Sequence, residues 1–333
     1  MTSTPKHILV TGGAGFIGSH LVDVLLTSGH RVVVVDDLST GDLKNLSSAQ
    51  VTAGDRLQFM HTTVSNALGN FNAPRFDEIY HFAAAVGVRL IVQHPSQSIE
   101  TNIYETSAAI RWAIRDGAKL LVASSSEVYG KSLRVPFSES DDVLFGPTTS
   151  ARWSYGYSKA LDEFLALAAV AESHLQTVIV RFFNTVGPRQ KGEWGMVLPR
   201  FIQAALAGKP LEVHGDGSQQ RCFCDVRDIV PALIQLVGLE AGMGRIFNIG
   251  SDAMISIQAL ASRVIRVTES ISQIQNVTHE QVFGKIFEDI QVRQPNLERI
   301  RSAIGFAPVI PLDSTIADIA RSLRGAHHQE HAA

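Results

Sequence analysis

Thr11-Gly12-Gly13-Ala14-Gly15-Phe16-Ile17-Gly18 decides the fold of this chain, with His7-Ile8-Leu9-Val10 before it and an amphipathic run to Thr27 after it. A short apolar strand enters a glycine turn, the turn opens a helix, and Gly29 ends that helix. Each glycine has its own task in this setting. Gly12 can form the turn, Gly15 lets backbone approach a pyrophosphate, and Gly18 lets helix and strand pack closely. The free N–H groups at the helix start then face the phosphates with partial positive charge. Gly12, Gly15, Phe16, Ile17 and Gly18 are therefore candidate dinucleotide contacts. Asp36 closes the second strand, 18 residues after Gly18. A carboxylate there accepts hydrogen bonds from the adenosine ribose hydroxyls and repels a 2′-phosphate, so NAD is expected rather than NADP. Asp37 reads as a turn residue or a second ribose contact.

Outward from this unit, short apolar runs alternate with helical-period segments. Arg31–Val35, Leu57–Met60, Glu78–Phe82, Lys119–Ala123 and Thr177–Arg181 read as strands. Continuous apolar strands imply burial on both faces. The expected fold is α/β: a doubly wound parallel Rossmann sheet with a smaller C-terminal substrate-binding lobe. Ile99, Ile103, Ile110 and Ile114 follow helical spacing before Gly117, as do Leu161, Leu165 and Ala168. Both helices are expected to pack on the sheet and to offer part of their surface to a dimer. Beyond Thr185 the chain is punctuated by glycine and proline. Residues 1–185 read as the NAD-binding domain, with a return segment near 222–250. Residues 186–221 and 251–325 read as the substrate lobe, and 326–333, with His327, His328 and His331, as a mobile tail.

Composition narrows the class. The 333 residues are 45% apolar and 18% charged, and 29 Lys+Arg against 32 Asp+Glu leave a net charge of −3. So neutral a balance gives no electrostatic reason for nucleic-acid or membrane binding. No apolar run reaches the ~18 residues of a spanning helix, and Met1–Lys6 lacks the apolar region of a signal peptide. Cys222 and Cys224 sit too close for a good disulfide and lack the further ligands of a zinc site. A reduced, cytoplasmic, enzyme-sized protein without a metal is expected.

Tyr155-Gly156-Tyr157-Ser158-Lys159 begins a helical segment, with Ser150 and Ser154 as candidate caps. Tyr155 and Lys159 are four apart and share one helix face. A phenol with a pKa near ~10 is a poor base at neutral pH. A neighbouring ammonium and a positive nicotinamide ring would both favour phenolate, lowering the pKa toward the working range. Tyr157 has no lysine four residues on. A Tyr-x-x-x-Lys pair alone is common on helix surfaces; beside a dinucleotide turn it becomes specific. Ser124-Ser125-Ser126-Glu127 follows the fifth strand, at the carboxyl ends where ligands bind in open α/β sheets.

Together these residues resemble the extended short-chain dehydrogenase/reductase family, and within it the nucleotide-sugar epimerases, dehydratases and decarboxylases. The resemblance covers nearly the whole chain. It includes Thr11–Gly18, Asp36, His81-Phe82-Ala83-Ala84, Asn102, Ser124–Gly130, Tyr155/Lys159, Arg181-Phe182-Phe183-Asn184, Gly187-Pro188-Arg189 and Gly215–Arg221. It implies that Ala83 lies on the cofactor, that Ser125 bonds the sugar 4-hydroxyl, and that Tyr155 removes its proton while C4 is oxidised. Asn184 and Arg221 would hold the nucleotide diphosphate. The third strand ends in His61-Thr62-Thr63, where the family usually places an Asp near the adenine. His81 reads as a packed histidine without chemistry, and Tyr104 and Trp112 as interface or core.

Several reactions share transient C4 oxidation, so the neighbours of the tyrosine must separate them. Family dehydratases usually show Asp-Glu where Ser126-Glu127 stands, and a serine is too weak an acid to expel a 6-hydroxyl. Simple 4-epimerases commonly carry a small or hydroxyl residue at Glu127. Ser-Glu resembles the UDP-glucuronate decarboxylases, which also carry an arginine before a late proline, as Arg293 stands before Gln294-Pro295. Oxidising C4 of a glucuronosyl unit makes a β-keto acid, which loses carbon dioxide readily. Arg293 and Ser126 would place the carboxylate, and Glu127 would hold or relay protons at C5. The alternative for Arg293 is a surface charge near Glu288 and Asp289, and Arg89 is a second candidate carboxylate partner. The expectation is decarboxylation of UDP-glucuronate to UDP-xylose by a homodimer. A UDP-hexose or UDP-hexuronate 4-epimerase is the alternative.

Overall fold

Val32–Val35 are almost wholly inaccessible, which requires cover on both faces of their strand. A computed structural model supplies that cover. It describes residues 4–70, 75–87, 93–192, 196–278 and 290–330, with side chains as far as Gly325. Strand β2 (Arg31–Asp36) lies between β1 (His7–Thr11) and β3 (Leu57–His61), parallel to both. Beyond β1 come β4 (Glu78–His81), β5 (Lys119–Ser125), β6 (Thr177–Phe182) and β11 (Arg245–Ile249). The sheet order is β11-β6-β5-β4-β1-β2-β3, with every neighbouring pair parallel.

Alternate strand residues feed opposite layers. Val32 and Val34 join the layer of α1 (Phe16–Thr27), α7 (Val226–Gly238) and α9 (Glu298–Ile304), through Leu21, Leu233 and Ile300. Val33 and Val35 join Trp112 and Ala113 of α4 (Pro95–Asp116) and Ala166 of α5 (Ser154–Ser173). Fully burying each valine contributes about 1.5–3 kcal/mol. The expected strand runs and the first helix therefore match what forms.

The two long helices differ from expectation in which face they bury. Ile114, Leu161 and Leu165 are exposed, and Ile99 and Ile103 only half-buried. The buried faces carry Asn102, Thr106, Ala109 and Ala113 on α4, and Ser158, Lys159, Asp162, Glu163 and Ala166 on α5. Polar and small residues turn inward there because that face carries the site. Nor does Ser150 or Ser154 cap α5: its first residue is Ser154, whose hydroxyl donates back to the Ala151 carbonyl.

A second lobe sits over the carboxyl ends of the strands. It holds α6 (Val197–Leu206), α8 (Ile257–Thr268) and α10 (Leu312–Glu330), packed through Phe201, Leu260 and Ile316. Its strands include β9 (Gln220–Cys222), antiparallel to β12 (Met254–Ser256) and parallel to β14 (Val292–Arg293). The segment expected as a mobile tail from Ala326 is helical as far as Glu330. His331 lies outside the described residues, as do Arg89, Glu288 and Asp289. Cys222 and Cys224 are free and buried. Among the described residues no helix is long and apolar enough to cross a membrane.

Candidate active site

The turn after β1 leaves no room for side chains. Gly12 has φ +69°, and a Cβ on it would meet the Ala83 nitrogen at 2.7 Å. On Gly18 a Cβ would stand 2.3 Å from the Gly12 carbonyl oxygen, so the strand end and the helix start touch only because neither carries one. Beside this turn the Asp36 carboxylate accepts the amide hydrogens of Ala14 and Leu38, both at 2.9 Å. Burial still lifts its carboxyl above the ordinary range. Asp37 makes the turn, taking the Ser39 amide at 2.9 Å.

From the turn a cavity of 1370 Å³ opens between the lobes. Apart from Arg89, which lies outside the described residues, the residues the sequence singled out for cofactor, catalysis or substrate line it: Gly12, Gly15, Phe16, Ile17, Gly18, Asp36 and Ala83 at one end, Asn184, Arg221 and Arg293 toward the second lobe. Ser125, Ser126, Glu127, Tyr155 and Lys159 lie in its wall. A side-chain-free cradle at a helix N-terminus with a carboxylate beyond it fits NAD. Thr62 and Thr63 also line the cavity, while His61 turns its Nε2 to the Asp37 carbonyl at 3.1 Å.

At the tyrosine the expected pull of Lys159 is present but opposed. Lys159 pulls the Tyr155 hydroxyl toward ionisation and Ser125 bonds it, but burial, Glu127 and Asp162 outweigh them and raise its pKa. The chain by itself does not make this phenol acidic. Lys159 is engaged too, its Nζ donating to Asp162 at 2.9 Å with both groups buried. Below this pair Arg181 grips Glu163 through two bonds, at 2.8 and 2.7 Å, and lies over the Tyr129 ring. His81 is packed as expected, between Thr11 Oγ1 at 2.8 Å and Thr106 Oγ1 at 3.1 Å, and burial beside Lys159 lowers its pKa to about 3.

Glu127 is the electrostatic centre of the site. Arg152 Nη1 reaches its Oε2 at 2.7 Å and Arg293 Nη2 its Oε1 at 2.8 Å, all three side chains being nearly inaccessible. Burial alone would raise this carboxyl; the two guanidinium groups reverse that and hold its pKa at about 2. Arg293 is thus buried against Glu127, and the surface reading of it is excluded. It stands opposite Arg221 in the β14–β9 register. Arg221 donates to the Gln220 and Gln291 carbonyls, and Asn184 Nδ2 to the Cys222 carbonyl at 2.9 Å, which fixes both on the cavity wall.

Two residues escaped the sequence reading. Arg152 stands three residues before Tyr155 and Asp162 three after Lys159. For Asp162 that spacing was the available signal, since it puts the carboxylate one helical turn from Lys159, whereas Arg152 meets Glu127 only through the fold.

Comparison with known proteins agrees with this geometry. Residues 8–250 match the model of the NAD dependent epimerase/dehydratase family. The chain is 40% identical over 311 residues to a UDP-N-acetyl-alpha-D-glucosaminuronate decarboxylase of Bacillus cytotoxicus, covering 91% of this chain and 93% of that one. It is 32% identical over 308 residues to UDP-glucuronic acid decarboxylase 1 of Xenopus tropicalis, covering 92% and 70%. Among solved structures it resembles a UDP-glucuronic acid 4-epimerase of Bacillus cereus in complex with UDP-glucuronic acid and NAD. That match has a TM-score of 0.82 at 26% identity and covers 96% of this chain and 99% of that one. The likeness runs through both lobes, and the chain is an enzyme of the NAD dependent epimerase/dehydratase family.

Proposed function

We propose that this enzyme decarboxylates a UDP-linked hexuronate, UDP-glucuronate giving UDP-xylose or the 2-acetamido analogue giving its own UDP-pentose. One observation carries the reading: a buried carboxylate, Glu127, shared by two arginines within the wall that holds Ser125 and Tyr155. A site that must receive a second carboxylate needs a cation able to change partners, and Arg293, from the second lobe, is placed to do so.

When bound, NAD supplies the acceptor and later the donor for the hydrogen at C4. Tyr155 takes the 4-hydroxyl proton, with Ser125 holding that hydroxyl in line. The resulting 4-ketone stands β to the carboxylate. The C5–C6 bond then breaks, its electron pair passes to the ketone oxygen through C5, and carbon dioxide leaves. A proton reaching C5 from water, with hydrogen returned to C4 and the Tyr155 proton to its oxygen, would complete the cycle with no net oxidation. With a pKa of about 2, Glu127 is no proton donor at neutral pH. With both arginines in place it serves as a fixed acceptor rather than as the proton relay expected for it. Asn184 and Arg221 hold the diphosphate, for which the fork of an arginine is suited.

The same reading includes a homodimer through α4 and α5, supported by exposed Tyr104, Leu161 and Phe164 on those helices. Its test is product analysis with UDP-glucuronate, UDP-N-acetylglucosaminuronate, UDP-glucose and dTDP-glucose. Loss of carbon dioxide from a hexuronate alone is expected. A hexuronate isomer of unchanged mass would instead favour 4-epimerisation, to which the 26% identical epimerase structure lends weight, and loss of water would favour dehydration.

A further inference from the structure

Asp162, Glu163 and His81 surround the Lys159 ammonium besides Tyr155, Glu127 acts on Tyr155 itself, and the partners of these groups differ. Glu163, on the same helix, is bound by Arg181 through two hydrogen bonds. Glu127, beyond the end of β5, is bound by Arg152 and Arg293. His81, reaching from β4, is held neutral between two threonine hydroxyls. Asp162 alone of the three carboxylates has no arginine among the described residues, and it is completely inaccessible. Its partner is Lys159, at 2.9 Å. Thr106 of α4 stands against the same carboxylate.

An unpaired ammonium in such a place would be costly, and so would an unpaired carboxylate. Each is stable only with the other. The bond also engages one of the three Nζ hydrogens of a lysine that lines the cavity, which restrains the orientation of the ammonium. We infer that Asp162 is a positioning residue of the reaction, keeping Lys159 charged and aimed so that the lysine can act on Tyr155. This rests on reading Tyr155 and Lys159 as the acid–base pair.

The charge follows from the same contact. Burial works against the Lys159 ammonium, but Asp162, then Tyr155 and Glu163, more than restore it and raise its pKa above the ordinary 10.5. Without the carboxylate, burial is left with less opposition, and Lys159 loses its proton at lower pH. The alkaline limb of kcat/KM should therefore move down in Asp162→Asn.

The experiment compares pH profiles of the parent enzyme, Asp162→Asn and Asp162→Ser with the substrate that the parent turns over. Folding is checked by circular dichroism and bound NAD by release and absorbance. The expected alkaline limb falls by about one pH unit or more, since an opposite charge in contact shifts a neighbour by about 1–3 units. Superimposable profiles in a folded, NAD-loaded variant would overturn the inference. Should neither variant fold, Lys159 is titrated in the parent by NMR of its side-chain signals, assigned by their absence from Lys159→Arg. Titration above the ordinary 10.5 supports the pairing; titration below it refutes it. If Tyr155→Phe and Lys159→Ala both keep full turnover, the catalytic reading itself is what fails. If they abolish turnover while Asp162→Asn keeps the parental profile, only the role of Asp162 is lost.

Discussion

Arg293 Nη2 stands 2.8 Å from Glu127 Oε1, so a residue of the second lobe closes an ion pair with the residue that ends the fifth strand's serine run. Glu127 keeps Arg152 at 2.7 Å on its other oxygen. One arginine can therefore turn to an incoming carboxylate without leaving Glu127 unpaired.

Arg293→Ala should cut kcat/KM for the hexuronate about tenfold to a hundredfold or more, the cost of a lost charged hydrogen bond of ~1.5–3 kcal/mol. A neutral hexose ligand should bind the variant as it binds the parent, read by calorimetry. Equal losses for both ligands would remove the carboxylate role from Arg293.

Tyr155→Phe should abolish turnover of every substrate while the purified protein keeps its NAD. The phenol, not the fold, is what the substitution removes, because Lys159 retains Asp162 at 2.9 Å. Appreciable turnover by the variant would transfer the base role elsewhere.

Gly18→Ala should lose bound NAD or fail to fold, since its Cβ would stand 2.3 Å from the Gly12 carbonyl oxygen. Cofactor content after gel filtration and the unfolding midpoint check this together. A variant equal to the parent in both would mean that the turn is not closed as described.

Stability should fall as acid is added, in two stages. His81 titrates at about 3 folded against 6.5 ordinarily, so below pH 6.5 the unfolded chain takes up a proton that the folded chain refuses. Its share of stability is complete above 6.5 and is lost as pH falls toward 3, by at most ~1.4 kcal/mol per pH unit. Glu127, lowered from 4.5 to about 2, contributes stability above pH 4.5 that is lost as pH falls toward 2. Urea unfolding at stepped pH should show the first stage reduced in His81→Asn; an identical slope would count against a buried neutral histidine.

How much of this was legible in the residues depends on the kind of signal. Val32–Val35 and the Gly12–Gly18 turn announce a parallel sheet and its dinucleotide end, because continuous burial and a Cβ-free turn leave marks in the sequence itself. Tyr155 and Lys159 carry a fixed spacing and were legible for the same reason. The inward face of α5 was not: apolar spacing marked Leu161 and Leu165, which are exposed, whereas Lys159, Asp162 and Glu163 turn inward. Hydrophobic periodicity cannot report a helix face buried around ion pairs. The Arg152–Glu127–Arg293 cluster joins three distant segments, and only the fold brings them together.

The account turns on transient oxidation at C4 as the step that releases carbon dioxide. UDP-glucuronate and UDP-N-acetylglucosaminuronate carrying deuterium at C4 test it directly, with NMR of the UDP-pentose formed by the NAD-loaded enzyme. Product that has lost its carboxylate yet keeps deuterium at C4, formed more slowly than from unlabelled substrate, is the expected result. A decarboxylated product whose C4 label exchanges with water, or a hexuronate returned intact apart from its C4 configuration, would contradict it.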